Sequence, residues 1–345
     1  MAQKRPHPGA APNERRFTMD VVCLGILIAD IFASPIDSLP EAGELRLIEG
    51  YLVSAGGCAA NTAACLRRLG RQIRVIGKLG RDLFGDFVLG DLKRLDIDTS
   101  GVVRSHTEPT SNTYILNVRG EDRRYLHCVG ANADFRLSDV DLAALDDARA
   151  LYVGGYMVMP AFGVGDLVQV FGEAKRRGLI TILDVVIGAA SSASFDQIAP
   201  ALAHTDLFLP NNDEARALTG RDDPAEQAAV LSRLNPNCII AITLGREGVL
   251  VREQNQVLRA PGFKVGSIDE SGAGDAFAAG FITGLLENWP LEQTIRFASA
   301  VGASCTRALG CIEGVFDREE ALAFLAKNQL EVAAVASEGG SEDNS

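Results

Sequence analysis

Short runs of consecutive apolar residues alternate with amphipathic helical patterns along most of this chain. Strands that are apolar at every position are typical of a sheet covered on both faces. When helices join such strands, the pattern predicts an α/β fold with a mostly parallel central sheet and helices on both faces. The predicted strands are 20–26, 72–77, 149–154, 179–184, 206–209, 238–243 and 248–252. The predicted helices lie near 58–69, 84–95, 162–177, 212–219, 224–234, 273–287, 291–307 and 317–327.

Two stretches, about 34–54 and 111–129, depart from this pattern. They contain alternating polar and apolar residues, as in ELRLIEGYLV and NTYILNV, which is typical of a sheet that is wet on one face. We therefore expect a small antiparallel β flap that acts as a lid. Its expected place is over the carboxyl edge of the main sheet, where ligands bind in open α/β folds.

The two ends of the chain are poor in large apolar residues. Residues 1–17 and 331–345 are predicted to be disordered tails, the second of them acidic, because neither can bury enough apolar surface to offset its ordering entropy. Residues 18–330 are predicted to form the folded domain. We see no signal-peptide pattern and no apolar run of membrane-spanning length, so the expected location is the cytoplasm.

The formal net charge of −12 argues against nucleic acid or an anionic membrane as the main partner. The seven cysteines include no CxxC pair, and the four histidines are far apart in sequence. These spacings favour neither a disulfide framework nor a zinc site. We expect most of the cysteines to be small buried residues.

The strongest local signal is SIDESGAGDAFAAGFITGLL, residues 267–286, where a Gly-rich turn meets a long apolar helix. The backbone N–H groups of Gly272, Ala273 and Gly274 can converge there on an anion, assisted by the positive end of the helix dipole. The carboxylate of Asp275 can accept a proton from an attacking hydroxyl. The alternative is an ordinary glycine turn in which Asp275 caps the helix.

A second signal is SAGGCAANTAACLRRLG, residues 54–70. Gly56 and Gly57 would let the backbone pass close to a ligand. Asn61 would present its amide from the first turn of a helix, and an amide can donate to and accept from sugar hydroxyls. A tightly packed helix entry would explain the same residues.

Two further segments could contact a nucleotide and its metal. In PNNDE, Asn211 and Glu214 could hold Mg²⁺ through water, although a normal helix cap has the same pattern. In TLGREG, Thr243, Gly245 and Gly248 could border a nucleotide groove, although a plain hairpin would have the same residues. The chain contains no GxxxxGK[ST] loop, no protein-kinase Gly loop and no GxGxxG after the first strand.

Taken together and in this order, these segments resemble the ribokinase-like (PfkB) carbohydrate kinase family over about residues 20–327. The most diagnostic likenesses are the GG-then-Asn element and the Gly-Ala-Gly-Asp turn. The supporting likenesses are Asp30, IGKLGRDLFGDF (76–87), PTSNTYILNV (109–118), GAN (130–132), PNNDE (210–214) and TLGREG (243–248).

The resemblance implies a role for each matching residue. Asp275 would be the catalytic base, with the anion hole at Gly272, Ala273 and Gly274. The residues that would bind the acceptor are Asp30, Gly56, Gly57, Asn61 and Lys78. Those that would border the nucleotide are Asn211, Glu214, Thr243, Gly245, Gly248 and Ser299. Glu214 would position Mg²⁺ through water, and Asp269 and Ser271 resemble the carbonyl donors of a monovalent-cation site.

One departure concerns the residues before Gly272. The family usually has two Thr-like residues there, and this chain has Glu270 and Ser271. A carboxylate at Glu270 would repel the phosphates of a nucleotide unless it points away. Activation by K⁺ is therefore the part of the resemblance that this departure puts in question.

The sequence thus predicts an ATP- and Mg²⁺-dependent kinase that phosphorylates a hydroxymethyl group of a small sugar. A carboxylate at Asp30 would repel a phosphate or an acid group, which favours a neutral acceptor. A nucleoside kinase and a phosphosugar kinase remain open, the latter because Arg119, Arg123 and Arg124 lie in the flap. A non-catalytic sugar or nucleotide sensor is the rival from another class. A homodimer formed through the flap is an alternative use of these strands.

Overall fold

The computed structural model describes residues 17–121, 124–188 and 194–335. The predicted N-terminal tail up to residue 16 and the predicted C-terminal tail from residue 336 lie outside these residues. Arg123, one of the three flap arginines, lies outside them as well.

Strands and helices alternate through the described residues as the sequence predicts. The strands are β1 (Met19–Gly25), β2 (Ile28–Ala33), β3 (Tyr51–Gly56), β4 (Ile73–Leu79), β5 (Asp98–Arg104), β6 (Asn112–Leu116), β7 (Arg124–Cys128), β8 (Ala148–Tyr156), β9 (Ile180–Val185), β10 (Leu207–Phe208), β11 (Ile239–Thr243), β12 (Val249–Glu253), β13 (Gln256–Ala260) and β14 (Ala333–Ala334). The helices are α1 (Cys58–Arg68), α2 (Leu83–Arg94), α3 (Val164–Arg176), α4 (Ala199–Leu202), α5 (Asn212–Thr219), α6 (Pro224–Leu231), α7 (Ala273–Leu286), α8 (Leu291–Cys305) and α9 (Arg318–Lys327).

The main sheet has the strand order β14-β13-β12-β11-β10-β9-β8-β1-β4-β5. All neighbours from β11 to β5 run parallel, whereas β12, β13 and β14 continue the sheet in antiparallel fashion. The prediction of a mostly parallel central sheet is confirmed. Strands β11 and β12 form a hairpin at TLGREG. The alternative interpretation of this segment as a plain hairpin is therefore correct for the backbone.

Helices cover both faces of this sheet, and β1 shows why its sequence is apolar throughout. Val21 and Cys23 pack into a hydrophobic cluster with residues of α1, α7 and α8. Val22 and Leu24 point the other way and pack with residues of α3, α5 and α6. Successive side chains of a strand alternate between faces, so a strand buried on both sides must be hydrophobic at every position.

The sheet is larger than predicted at its edges. Strands β5 and β13 were not predicted, because each mixes polar and apolar residues, mostly half-buried in β5 and ranging from exposed to buried in β13. Strand β14 lies beyond residue 330, where the predicted tail begins, and pairs with β13. The predicted domain boundary is therefore wrong by at least four residues at this end.

A second sheet of four strands, β3-β2-β6-β7, forms the lid. Strand β2 pairs antiparallel with β3 and parallel with β6, and β6 pairs antiparallel with β7. The lid begins at residue 28, earlier than the predicted 34. Residues 34–50 contain no strand, and only an isolated bridge joins Ile36 to Val118. Among the described residues, no helix has the length and hydrophobicity that crossing a membrane requires.

Candidate active site

Three helices, α1, α5 and α7, begin close to the carboxyl ends of the parallel strands. Their first turns follow Gly57, Asn211 and Gly272. Each helix start leaves backbone N–H groups without an intrahelical partner and carries the positive end of a dipole. The arrangement creates a site suited to anionic groups on an otherwise acidic protein.

Asp275 lies in the first turn of α7, and Asn61 lies in the first turn of α1. The Asn61 Nδ2 atom donates a hydrogen bond of 2.9 Å to Oδ2 of Asp275. Burial raises the pKa of Asp275, and the nearby charge of Asp184 raises it further, while the bond from Asn61 lowers it. The structure thus brings together two predicted site residues that are 214 positions apart, and it gives Asp275 the raised proton affinity of a general base.

The loop before α7 presents its backbone beside Asp275. Gly272 has φ of 74°, and a Cβ atom there would lie 2.4 Å from the carbonyl oxygen of Cys311. Gly274 is exposed, with no atom within 4 Å of the position a Cβ would take. The N–H of Ala273 donates a long bond of 3.3 Å to the carbonyl of Glu270. Gly272 is therefore required by conformation and by packing, whereas Gly274 leaves open space at the helix start.

Asp30 lies within lid strand β2, paired with Ser54 of β3 and Thr113 of β6. Burial raises its pKa to about 6, and hydrogen bonds with Thr113 and Cys311 oppose this. A Cβ atom on Gly56 would lie 1.9 Å from Oδ2 of Asp30, so this glycine makes room for the carboxylate.

Gly57 and Lys78 have mainly structural contacts. Gly57 has φ of 87°, and a Cβ there would lie 2.5 Å from the carbonyl oxygen of Ile26. The Lys78 ammonium is buried and bonds to the Asp134 carbonyl and to Asp139 Oδ2, each at 3.0 Å. It also forms an ion pair of 3.0 Å with the Asp134 carboxylate. These contacts use its three donors in this structure, and binding of the acceptor by Lys78 stays a prediction.

Asn211 and Glu214 form a reciprocal capping box at the start of α5. The Glu214 N–H donates to Oδ1 of Asn211 at 2.9 Å, and the Asn211 N–H donates to Oε2 of Glu214 at 2.8 Å. Burial raises the pKa of Glu214 to about 7, against the bonds that its carboxylate accepts from the backbone. The capping alternative is therefore correct for both residues. The capping box uses only Oε2 of Glu214, and the Oε1 atom takes no part in it.

The nucleotide residues predicted from TLGREG lie next to this cap. Thr243 at the end of β11 forms a β-bridge with Asn211. Gly245 and Gly248 have φ of 58° and 98°, and a Cβ on Gly248 would lie 2.0 Å from the carbonyl oxygen of Ala260. Ser299 is buried on α8, and its hydroxyl has no hydrogen-bond partner within the part of the chain that the structure describes.

The unusual Glu270 forms an ion pair of 2.7 Å with Arg246, which lies in the turn between β11 and β12. The arginine partly neutralises this carboxylate, which lies two residues before Gly272. Asp269 is buried, and its carboxylate accepts bonds from the N–H and hydroxyl of Ser271 and from the N–H of Gly310. These bonds fix the loop that leads into Gly272.

Sequence reasoning missed a group of residues around Asp275. Tyr152 on β8 donates a hydrogen bond of 2.7 Å to Oδ2 of Asp184 at the end of β9. Cys58 at the start of α1 also bonds with Asp184. Burial raises the pKa of Asp184, and the charge of Glu214 raises it further. A carboxylate at the end of an apolar strand was the available signal, because ligands bind at the carboxyl edge of such sheets.

Asn132 has a supporting role that its motif alone did not reveal. Its side-chain amide donates to the carbonyl of Leu27 at 3.1 Å and accepts from the Leu27 N–H at 3.2 Å. Leu27 lies in the short connection between β1 and β2. Asn132 therefore fixes the point at which the chain passes from the main sheet into the lid.

Comparison with known proteins agrees with this geometry. A family model described as pfkB family carbohydrate kinase matches residues 18–317. The ribokinase of Haemophilus influenzae is 29% identical over 306 residues, which cover 87% of this chain and 97% of that protein. The 5-dehydro-2-deoxygluconokinase of Clostridium perfringens is 26% identical over 330 residues, which cover 92% of this chain and 96% of that protein.

The structural comparison gives the same fold. The structure of Arabidopsis thaliana ribokinase complexed with ribose and ATP matches this chain with a TM-score of 0.75 and 24% sequence identity. The match covers 89% of this chain and 98% of that one. The central sheet and the separate lid are therefore shared with a solved kinase.

Proposed function

Because this chain belongs to the pfkB family of carbohydrate kinases, we propose that it transfers the γ-phosphoryl group of ATP to a hydroxymethyl group of a small neutral sugar. The observation that carries the proposal is Asp275, which lies in the first turn of α7 beside the Gly272–Gly274 backbone and accepts a bond from Asn61. A sugar sensor would have no need for a carboxylate of raised proton affinity beside a phosphate-binding loop.

In the proposed reaction the acceptor hydroxyl attacks the γ-phosphorus, and the bond from that phosphorus to the bridging oxygen of ADP breaks. Asp275 takes the hydroxyl proton. The N–H groups at Gly272, Ala273 and Gly274 stabilise the negative charge on the transferred group, with the α7 dipole behind them. The hydrogen bond from the Ala273 N–H to the Glu270 carbonyl is long, at 3.3 Å. Exchanging it for a bond to the phosphoryl oxygens therefore costs little free energy.

The residues at the start of α5 fit a hydrated Mg²⁺. Burial raises the pKa of Glu214, and the charges of Asp275 and Asp213 raise it further. A divalent cation would offset this concentration of negative charge. Asn211 and Glu214 would hold the ion through water, and Mg²⁺ supplies neutralisation of the phosphate charge. Thr243, Gly245, Gly248 and Ser299 would border the nucleotide. A monovalent cation such as K⁺ would bind the carbonyls of Asp269 and Ser271.

The proposed acceptor is a neutral polyol, such as a pentose, a ketohexose or the ribose of a nucleoside. Asp30 is a buried carboxylate under the lid that can accept bonds from two hydroxyls and would repel a phosphate. The described flap arginines are engaged locally. Arg119 donates to the carbonyl of Pro35 at 3.0 Å, and Arg124 forms an ion pair with Glu121. These contacts favour a free sugar over a phosphosugar.

Replacing Asp30 with alanine is expected to raise KM for the sugar by roughly 10- to 150-fold and to leave KM for ATP unchanged. This range corresponds to the ~1.5–3 kcal/mol of a hydrogen bond to a charged group. Steady-state kinetics with each substrate varied in turn measures the effect. Because the pKa of Asp30 is raised to about 6, KM for the sugar should also increase as the pH falls through that value and the carboxylate is protonated.

Asp37→Ala is the matched control for Asp30→Ala, because Asp37 belongs to the same lid region and its exposed carboxylate forms a long ion pair of 3.8 Å with Arg119. This control should keep both KM values. An Asp30→Ala enzyme with unchanged KM for every sugar that it phosphorylates would remove Asp30 from the acceptor site.

We also propose that the chain forms a homodimer through the lid. The lid region exposes large apolar side chains at Leu45, Leu47, Tyr51, Tyr125 and Leu126, more than the surface of a monomer usually presents in one region. Light scattering of the full chain should give the mass of a dimer, and Leu126→Glu should shift it toward the monomer. Leu83→Glu, at an exposed leucine on α2 outside the lid, should have no effect. A monomeric mass at all concentrations would contradict the proposal.

The proposal places the reaction in the cytoplasm, where ATP is available. All seven cysteines are free thiols in the structure, as is usual for proteins kept under reducing conditions.

A further inference from the structure

One cluster of potential metal ligands lies at the centre of the site. The Cys58 sulfur and a carboxylate oxygen from each of Asp184 and Asp275 all lie within 4.8 Å of one another. They come from the start of α1, the end of β9 and the first turn of α7. Residues 17–121, 124–188 and 194–335 contain no second group of three such side chains at this spacing.

Hydrogen bonds from outside the cluster orient both carboxylates. Tyr152 donates to Oδ2 of Asp184 at 2.7 Å, and Asn61 donates to Oδ2 of Asp275 at 2.9 Å. Carboxylates that bind metals are typically held by outer partners in this way. Asn61 is 4% exposed, and its Oδ1 atom has no hydrogen-bond partner among the described residues. An unused buried acceptor therefore belongs to the same side chain that contacts the cluster.

The ligand types select the metal. Magnesium prefers an all-oxygen shell, whereas a thiolate with two carboxylates suits Zn²⁺. A tetrahedral zinc site requires about 3.5 Å between neighbouring ligand atoms, as follows from Zn–S and Zn–O bonds of about 2.3 and 2.1 Å. Side-chain rotations that move the ligand atoms by about 1 Å would bring the three atoms from within 4.8 Å of one another to this spacing.

We propose that Cys58, Asp184 and Asp275 bind Zn²⁺, with water as the fourth ligand, and that the zinc-bound enzyme is inactive. Binding releases to solvent the proton of the Cys58 thiol and any proton that the Asp184 and Asp275 carboxyl groups hold. The metal then occupies the carboxylate lone pair with which Asp275 would accept the proton of the acceptor hydroxyl. The inhibition rests on the proposed kinase function, whereas the metal binding does not.

Binding is tested with Co²⁺ in place of Zn²⁺, because a cobalt–thiolate bond gives a charge-transfer absorption band that oxygen ligands do not. The full-length enzyme, free of nucleotide, should show this band at one Co²⁺ per chain, and Zn²⁺ should displace it. Cys58→Ala should abolish the band. Cys128→Ser, at an exposed cysteine on β7, should retain it.

The activity arm compares Zn²⁺ inhibition at saturating Mg²⁺–ATP, with each variant referred to its own uninhibited rate. Loss of an outer-shell partner commonly costs 10–100-fold in metal affinity, so loss of the Cys58 ligand should raise the inhibitory Zn²⁺ concentration at least ~100-fold. Cys58→Ser is a second variant in case the alanine enzyme does not fold.

Absence of the cobalt band in the unaltered enzyme, or its persistence in both Cys58 variants, would overturn the proposed site. Unchanged zinc inhibition in the Cys58 variants would show that zinc acts elsewhere, for example on the nucleotide, and would overturn the proposed inhibition. The cobalt measurement needs no turnover, so it tests the metal site even if the protein has no kinase activity. Lack of kinase activity would contradict the proposed function, and the cobalt band alone would then decide the metal site.

Discussion

Replacing Asp275 with asparagine is expected to lower kcat by about 10²- to 10⁴-fold, the usual contribution of a general base. Asparagine keeps the size of the side chain and can still bond with Asn61, but it cannot take the proton of the acceptor hydroxyl. Binding of ATP should be nearly unchanged, because in the proposed reaction the N–H groups of the loop, and not Asp275, hold the phosphates. Initial rates of ADP formation and nucleotide titration measure the two effects.

The pH dependence of the unaltered enzyme provides a second readout for Asp275. Burial and the charge of Asp184 raise its pKa in the folded chain. The base acts only when deprotonated, so kcat should fall as the pH drops through this raised value. An Asp275→Asn enzyme that keeps a tenth of the normal kcat would show that another group removes the proton.

Replacing Gly272 with alanine is expected to lower kcat by about 10²- to 10³-fold, the usual effect of losing one donor of an anion hole. Gly272 has φ of 74°, and the added Cβ would lie 2.4 Å from the Cys311 carbonyl oxygen. The loop must shift to relieve this overlap, which turns the N–H groups away from the transferred phosphoryl group. Initial rates at saturating substrates measure kcat, and thermal unfolding shows whether the variant is folded.

Gly178→Ala is a matched control, because Gly178 has φ of 78° and no atom lies within 4 Å of its Cβ position. It introduces the same backbone strain, of about 1–2 kcal/mol, far from any site residue named above. Its kcat should be unchanged. If Gly272→Ala behaves like this control, the loop at α7 does not stabilise the phosphoryl group.

The sequence was sufficient to predict the central sheet because its strands are buried on both faces. A run such as DVVCLGI would expose apolar side chains to water anywhere but in a sheet covered on both faces, and it forms most of β1 in the structure. Strand β5, DTSGVVR, is half-buried and polar at several positions, so nothing in its pattern distinguishes it from a loop. It becomes a strand because β4 supplies hydrogen-bond partners.

The lid was predicted with incorrect limits for a similar reason. Residues 44–50 alternate polar and apolar residues as a strand would. Within the described part of the chain no strand pairs with them, and Leu45 and Leu47 stay exposed. Strand β2 has an almost wholly apolar sequence, IADIFA, and follows β1 after only two residues, Ile26 and Leu27. Pairing with β3 and β6 assigns it to the lid.

The sequence could single out Asp275 as a candidate base, because a carboxylate that directly follows a Gly-rich turn at a helix start is a recognisable local pattern. At Lys78 the sequence did not reveal the contacts with Asp134 and Asp139, because the charge of a lysine does not indicate which acidic partners it meets in the fold. The predicted site was incomplete at Cys58 and Asp184, which meet Asp275 only because three separate elements end at the same edge of the sheet. Contacts of this kind depend on the tertiary fold and leave no spacing in the sequence.

The measurement that most directly tests the proposed function is ADP release by the purified full-length chain with Mg²⁺–ATP and one acceptor at a time. The panel should contain free pentoses and ketohexoses, nucleosides, phosphosugars and sugar acids, with Asp275→Asn as the blank for each. We predict fast ADP release with a neutral sugar or nucleoside, very little without an acceptor, and almost none in the blank. A clear preference for a phosphosugar or sugar acid would contradict the neutral acceptor, and ADP release that no acceptor stimulates would contradict the sugar kinase itself.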